Sequence, residues 1–186
     1  MNILKTLVSF FLDFVETLVT AAVIFVLFYI FLFQPHQVKG NSMLPSFHDG
    51  ENLLTNKITY RFKKPLRGDV ITFKAPQNQN YDYIKRIIGL PGEKIKIVES
   101  QIYINNSLYS ESSYLPEDVY TSSGNFIGEN EEITVPQNQY FVLGDNRSHS
   151  SDSREWGFIP TKNIIGKAWL RYWPFSKLGF IPTIPS

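Results

Sequence analysis

An uncharged apolar run near the amino terminus is the feature that most constrains how this chain can fold. Residues 17–33 (TLVTAAVIFVLFYIFLF) contain no charged side chain. As a helix rising about 1.5 Å per residue, this run extends roughly 25 Å. Continuation back toward Leu12 would bring it close to the roughly 30 Å of a typical hydrocarbon core. The sequence therefore predicts a membrane-spanning helix at residues 17–33, ahead of the globular part.

The residues before this run carry a polar stripe. Polar side chains recur at spacings of three and four, at Lys5, Ser9, Asp13, Glu16 and Thr20. On a helix these side chains share one face. The favoured interpretation is that residues 1–16 form a cytoplasmic or interfacial segment. The alternative is a contact with a partner helix, because carboxylates near lipid need polar neighbours.

The apolar run is interpreted as an uncleaved, single-pass anchor. It is longer than the apolar stretch of a secretory signal peptide, and no small-x-small cleavage pattern follows it. The amino group and Lys5 precede the run, whereas only Lys39 follows closely. This asymmetry slightly favours a cytoplasmic amino terminus. Residues 34–186 are then expected to form an extracytoplasmic domain at the cell membrane.

Composition excludes several classes of protein. A chain of 186 residues suits one modest domain plus an anchor. The formal net charge of +1 gives no basic face for a nucleic-acid partner. The chain contains no cysteine, which rules out disulfides, thiolate metal sites and a cysteine nucleophile.

After residue 34 the pattern changes to short runs of β-formers separated by turn residues. These runs lie at residues 69–73, 83–88, 94–98, 101–104, 139–143 and 167–172. No stretch in this part keeps a 3.6-residue apolar period over the length of a helix, so a mainly antiparallel β domain is predicted. Residues 110–132 are polar and acidic, and are expected to form an excursion at one end of the sheet instead of part of the core.

Lys85 is a candidate general base. If residues 83–88 form a strand, Tyr83, Lys85 and Ile87 share one face, where water could be excluded from the ammonium. Desolvation disfavours the charged form. Lowering a lysine pKa from about 10.4 to about 8 takes about 3.3 kcal/mol, which burial can supply. The pattern fits an ordinary edge-strand lysine as well.

Ser42 is the serine that such a base could activate, because a hydroxyl is a poor nucleophile until a neighbour takes its proton. Gly40 and Pro45 bracket it, which suits a sharp turn that exposes the hydroxyl. A serine before a loop proline is also common as a simple turn residue.

A polar segment at residues 144–157 is flanked by apolar runs. Counted from its first aspartate, a calcium loop would need glycine at the sixth position and an acidic residue at the twelfth. Ser150 and Trp156 stand there instead. Asp152 and Arg154 could form a charge-assisted pair that fixes the loop.

Together these segments resemble the type I signal peptidases of bacteria, serine–lysine proteases that remove signal peptides from exported proteins. The motifs are residues 42–45 (SMLP), 67–70 (RGDV), 83–92 (YIKRIIGLPG) and 144–154 (GDNRSHSSDSR). They occur in the family's order, and the single anchor resembles the Gram-positive form. The resemblance implies two coiled antiparallel sheets of the signal-peptidase and LexA-like β fold behind one transmembrane helix, with no cofactor and no metal.

The resemblance also assigns roles by position. Ser42 matches the nucleophile, Lys85 the general base, and Ser150 the serine that hydrogen-bonds and orients the lysine. Supporting positions behind the site are Asp145, Arg147, Asp152 and Arg154, and the walls of small substrate pockets are Val38, Met43, Tyr83 and Ile84. The implied substrates are signal peptides of exported preproteins, cut after small-x-small (Ala-x-Ala) sites. The lipid bilayer and proximity to a secretion translocase are the other expected partners, and the oligomeric state stays open.

One position departs from some family members, which carry a serine two residues before the nucleophile. Here that position is Gly40, so the oxyanion would rely on the Ser42 amide and a second donor that the sequence does not identify. Losing one oxyanion donor can cost about 10²–10³ in rate, so a substitute donor is expected.

Three rival functions fit parts of the sequence. A Ser-His-Asp hydrolase could use His149 or His48 with Asp152 or Asp49, because such triads are assembled in space. A catalytically silent binding protein of the same fold is the second rival, and intact Ser42, Lys85 and Ser150 argue against it. A serine–lysine autoprotease repressor is the third, but the sequence offers no DNA-reading segment.

Overall fold

The computed structural model describes residues 2–116 and 118–184. Its first element is α1 (Asn2–Leu32), one helix of 31 residues. Within it, residues 3–32 are apolar and long enough to cross a membrane, with a mean hydropathy of 2.4 and no burial against the rest of the chain. The helix runs without interruption past the boundary predicted at residue 17, and it ends one residue before Phe33.

Within the residues that the structure describes, twelve strands and two further short α-helices follow. In chain order the strands are β1 (Phe33–Gln37), β2 (Asn52–Asn56), β3 (Val70–Lys74), β4 (Asp82–Gly89), β5 (Lys94–Val98), β6 (Gln101–Ile104), β7 (Ser107–Leu108), β8 (Glu132–Thr134), β9 (Gln139–Leu143), β10 (Ile159–Pro160), β11 (Ile164–Trp173) and β12 (Gly179–Phe180). The helices α2 (Thr59–Phe62) and α3 (Ser153–Trp156) are each a single turn.

The strands form two antiparallel sheets. The larger has the order β1-β2-β11-β3-β4-β9-β10, with β12 on the edge of β11, and the smaller has the order β7-β6-β5-β8. This arrangement confirms the predicted fold class. The strands β1, β2, β7, β8, β10 and β12 lie outside the predicted runs, because they are short or polar.

Alternation along the strands builds the core. In β5 the side chains of Ile95 and Ile97 are buried while the alternating Lys94 and Lys96 are more exposed, as a period of two requires. These isoleucines pack with Ile88 and Phe141 of the larger sheet, which joins the two sheets face to face. A second cluster, which contains Met43 and Leu53, lies beneath the turn that carries Ser42.

The polar excursion at residues 110–132 was expected to lie outside the core, and this was wrong in part. Leu115, Thr121 and Ile127 are all buried, and Ile127 joins the cluster between the sheets. The physical reason is that scattered apolar residues in an irregular segment show no periodicity, although each still fills a hole in the core.

The junction between the anchor and the sheet is direct. β1 begins at Phe33, the residue after α1 ends, and pairs with β2. The Lys57 backbone amide donates to the Leu32 carbonyl at 2.9 Å, and Lys57 Nζ donates to the Ile30 carbonyl at 2.9 Å. Carbonyl groups of the last helical turn, which lack intrahelical partners, are therefore satisfied by the β domain.

Candidate active site

The structure brings Ser42 and Lys85 into direct contact. Lys85 lies in β4 opposite Ile71 of β3, and its Nζ donates to Ser42 Oγ at 2.6 Å. Ser42 lies in the turn between β1 and β2. The side chain of the neighbouring Met43 is only 1% exposed, and its burial holds this turn in place. The Met43 carbonyl accepts from the Phe47 amide at 2.8 Å, closing the turn. The local fold thus fixes the hydroxyl against the amine.

The environment of Lys85 lowers its pKa from 10.5 to about 8, chiefly because burial removes water from the ammonium. The side chain is 5% exposed, and the Tyr83 ring centroid lies 5.7 Å from Nζ. The carboxylates of Asp152 and Asp145 oppose the shift, and Arg154 adds to it. The arrangement agrees with the expectation from the strand register, in which Tyr83 and Lys85 share a face.

A cleft that we call the first cleft opens at this pair. Its volume is about 300 Å³. All four residues predicted as pocket walls line it together with Ser42 and Lys85, namely Val38, Met43, Tyr83 and Ile84. The structure therefore gathers the predicted pocket residues into one cavity beside the serine hydroxyl.

The Asp152–Arg154 pair forms as the sequence predicted. Arg154 Nε donates to Asp152 Oδ1 at 2.8 Å, and its Nη2 donates to Oδ2 at 2.9 Å, with both side chains buried. Asp152 Oδ2 also accepts from the Gly144 amide at 3.1 Å. A bidentate pair of this kind fixes orientation as well as charge. It holds the loop after β9 behind Lys85.

Asp145 and Arg147 bind separate partners that the sequence did not reveal. Arg86, the residue after Lys85, donates from Nε and Nη2 to the two Asp145 oxygens at 2.8 and 2.6 Å. Arg147 makes a bidentate pair with Glu111 at 2.5 Å for both contacts. Alternation along the strand puts Arg86 on the face opposite to Lys85. This was the one sequence signal that Arg86 has partners other than those of Lys85. Glu111 comes from the irregular excursion, where no periodic pattern could have indicated it.

The predicted hydrogen bond between Ser150 and Lys85 is not formed. Ser150 Oγ is buried without a hydrogen-bond partner among the described residues. The hydroxyl packs against Gly144, where an added Cβ would collide with Ser150 Oγ and with the Ser42 carbonyl oxygen. Packing explains this difference. The Lys85 amine is directed at Ser42, and the Ser150 hydroxyl lies against the Gly144 backbone, in space that is open because glycine has no side chain.

Neither candidate histidine contacts the serine. His149 is exposed, and its Nδ1 lies 2.8 Å from Ser148 Oγ. His48 lies 3.0 Å from Lys177 and 3.4 Å from the buried carboxylate of Glu51. Within residues 2–116 and 118–184, Ser42 Oγ has its hydrogen bond with Lys85, so the geometry contradicts the Ser-His-Asp alternative.

Hydrogen bonds of the backbone around Ser42 show which amide groups already have an acceptor and so are not free to act as the second oxyanion donor. The Gly40 amide donates to Asp49 Oδ1 at 2.7 Å and is therefore occupied. The Ser42 carbonyl accepts from the Asn146 amide at 3.1 Å.

The described part of the chain contains no group of three or more histidine or acidic residues suited to hold a metal ion.

The fold and the site define a class: β-sheet proteins with an amino-terminal membrane helix, whose site pairs a serine with a buried lysine. The family model described as "Signal peptidase, peptidase S26" matches residues 11–173. The chain therefore belongs to the signal peptidase I family of enzymes, as the sequence motifs indicated.

Two sequence relatives agree with this assignment, and one solved structure is similar in part. Signal peptidase IB of Staphylococcus aureus is 35% identical over 182 residues, covering 90% of this chain and 94% of the relative. Probable signal peptidase I-2 of Synechocystis sp. is 33% identical over 171 residues, covering 89% of this chain and 75% of the relative. The crystal structure of a signal peptidase I from Enterococcus faecalis is 34% identical, with a TM-score of 0.46, and covers 56% of this chain and 97% of that chain.

Proposed function

We propose that this chain is a membrane-bound serine endopeptidase that cleaves signal peptides from exported preproteins, with Ser42 as nucleophile and Lys85 as general base. The observation that carries the proposal is the 2.6 Å contact between Ser42 Oγ and a buried lysine whose pKa is about 8. With that pKa, about one tenth of the lysine is neutral at pH 7 and half at pH 8. An ordinary exposed lysine would be almost entirely charged.

The chemistry follows from this contact. When Lys85 is neutral, Ser42 Oγ–H donates to Nζ across the same 2.6 Å, and Nζ takes the proton as Oγ attacks the scissile carbonyl. The resulting ammonium then gives that proton to the leaving amine as the peptide C–N bond breaks and an acyl-serine remains. A water molecule, deprotonated by the same lysine, hydrolyses the ester and restores Ser42.

The buried ion pairs near Lys85 hold the site in shape without restoring the ordinary high pKa of this lysine. The pairs Asp145–Arg86 and Asp152–Arg154 lie behind Lys85, and each carboxylate is held by its own arginine. Desolvation therefore remains the largest influence on the lysine pKa, ahead of the attraction of either carboxylate. We infer that these pairs fix the wall of the site, while burial sets the proton affinity.

The first cleft supports cleavage after small side chains. Its walls are supplied by Val38, Met43, Tyr83 and Ile84, and its volume of about 300 Å³ is shared among several substrate residues. Overfilling a packed apolar pocket costs typically 1–3 kcal/mol, so short side chains such as alanine are favoured. We propose Ala-x-Ala as the preferred pattern before the scissile bond.

The location follows from α1. The helix is long and apolar enough to span a bilayer, and we propose that its amino terminus is cytoplasmic and that residues 34–186 lie outside. Three exposed aromatic side chains near the carboxyl end suit contact with the bilayer surface, namely Trp173 of β11, Phe175 of the following turn and Phe180 of β12. Preproteins that emerge from a secretion translocase would reach the site by diffusion in the membrane.

Cleavage of a preprotein with an Ala-x-Ala site tests this proposal. Purified Ser42→Ala and Lys85→Ala should lose cleavage, whereas Lys94→Ala, which alters an exposed lysine of β5, should retain it. All three variants should unfold cooperatively, as the wild type does. Cleavage that persists in Lys85→Ala and disappears in His149→Ala would instead assign the base to histidine.

A further inference from the structure

A second cleft adjoins the turn that carries the proposed nucleophile. Its volume is about 480 Å³, and it begins at Leu44 and Pro45, two and three residues after Ser42. Asn146 forms the boundary with the serine turn. Its backbone amide donates to the Ser42 carbonyl at 3.1 Å, and its Nδ2 donates to the Asn41 carbonyl at 3.0 Å. Two separate clefts thus adjoin the turn that carries Ser42, and Ser42 itself lines the first.

A polypeptide substrate has to extend away from the scissile bond in both directions. The residues before the bond belong to the first cleft under the proposed function, on which this inference rests. We propose that the second cleft binds the first residues of the mature protein, those that follow the scissile bond.

The lining of the second cleft indicates which side chains it accepts. Leu44, Pro45 and Val119 supply apolar surface, and Tyr120 is 73% exposed at the wall. Apolar walls with an aromatic side chain and a few polar groups are the usual composition of a peptide-binding cleft. This surface holds an extended segment without strict demands on its sequence.

Among the residues that the structure describes, one carboxylate supplies the uncompensated charge in the second cleft. The two buried charges in its wall are compensated elsewhere, Arg147 by Glu111 at 2.5 Å and Asp145 by Arg86 at 2.6 Å. Asp118, by contrast, is exposed and forms no ion pair within residues 2–116 and 118–184. The cleft therefore favours lysine or arginine over glutamate or aspartate shortly after the scissile bond.

The experiment compares three preproteins that are identical through the first residue after the bond. Positions two to four after the bond are Lys, Ala or Glu. The full chain in detergent micelles cleaves them at low salt, and kcat/KM is measured for each. The wild type should prefer the Lys substrate to the Glu substrate by about threefold or more, as expected for one partly screened charge. Asp118→Lys should reverse the order.

Glu99→Lys is the matched control variant. It makes the same change of net charge at an exposed position in the turn between β5 and β6, and it lines neither cleft. It should keep the wild-type order of substrates. Tyr120→Ala should lower kcat/KM for all three substrates while leaving their order unchanged, because it removes apolar wall and no charge.

Two results overturn the inference. One is an unchanged order of substrates in Asp118→Lys, and the other is an equal reversal in Glu99→Lys, which would assign the preference to net charge. Either result leaves the proposed function intact as long as cleavage still requires Ser42 and Lys85. If Ser42→Ala cleaves all three substrates, the proposed function itself is refuted. Failure of the proposed function and failure of the second-cleft inference therefore give different results.

Discussion

Replacing Lys85 with methionine should make the protein more stable at neutral pH while it abolishes cleavage. Burial lowers the pKa of Lys85 from 10.5 to about 8, so the folded chain holds this proton less tightly than the unfolded chain. Below pH 8 both states are protonated and the full desolvation cost is present. As pH rises from about 8 toward 10.5, the folded state loses the proton first, and this contribution to stability increases with pH.

The magnitude follows from the two pKa values. Between pH 7 and pH 10 the wild type should gain about 2.5 kcal/mol of unfolding free energy from this one group. The variant Lys85→Met has no such group. The stability advantage of Lys85→Met over the wild type should therefore be largest at pH 7 and should shrink by about 2.5 kcal/mol by pH 10.

Urea unfolding of the full chain in detergent micelles, followed by tryptophan fluorescence to which Trp156 contributes, measures this difference. Trp156 is half-buried against Phe73, so its emission reports unfolding of the catalytic domain. The comparison variant is Lys94→Met, which removes an exposed lysine and should show the wild-type pH dependence. Parallel stability curves for wild type and Lys85→Met across this pH range would refute the desolvation argument.

Three further predictions concern activity and packing. The pH dependence of kcat/KM should rise through an apparent pKa of about 8, the value of Lys85, and a profile centred above pH 10 would contradict its role as base. His149→Ala should leave preprotein cleavage unchanged, since this side chain is exposed and bonded to a neighbouring serine. Asp145→Ala should lower the unfolding free energy by about 3–5 kcal/mol, because Arg86 is left as an unpaired buried charge. Denaturation measures that loss, and a change under 1 kcal/mol would show that water reaches and solvates the Arg86 guanidinium in the variant.

The sequence predicted those parts of the site that depend on local pattern. Alternation in the strand that carries Lys85 placed Tyr83 on the same face, and the structure shows the ring beside the amine. Asp152 and Arg154 are two residues apart, so their pairing could be expected from chain distance alone. The fold class was predictable for a similar reason, because each β-forming run and each turn is a local signal.

Long-range partners could not be predicted in this way. Arg147 and Glu111 are separated by 36 residues, and the excursion that carries Glu111 has no repeating pattern to fix its path. Ser150 was expected to hydrogen-bond to Lys85, yet its side chain packs on Gly144. A family motif specifies which residues meet in one region, but side-chain direction depends on packing that a single sequence does not record.

The direct junction between α1 and β1 bears on how the enzyme would meet its substrate. The helix ends at Leu32 and the proposed nucleophile follows at Ser42, with Lys57 bonded to carbonyl groups of the last helical turn. A flexible tether would let the domain sample many heights and tilts above a bilayer, with a local concentration set by tether length. Under the proposed topology, this hydrogen-bonded junction would make the helix a stalk that restricts the height of the cleft above the bilayer. The distance from a preprotein's apolar segment to its scissile bond would then become a selection criterion, alongside the side chains that flank the bond.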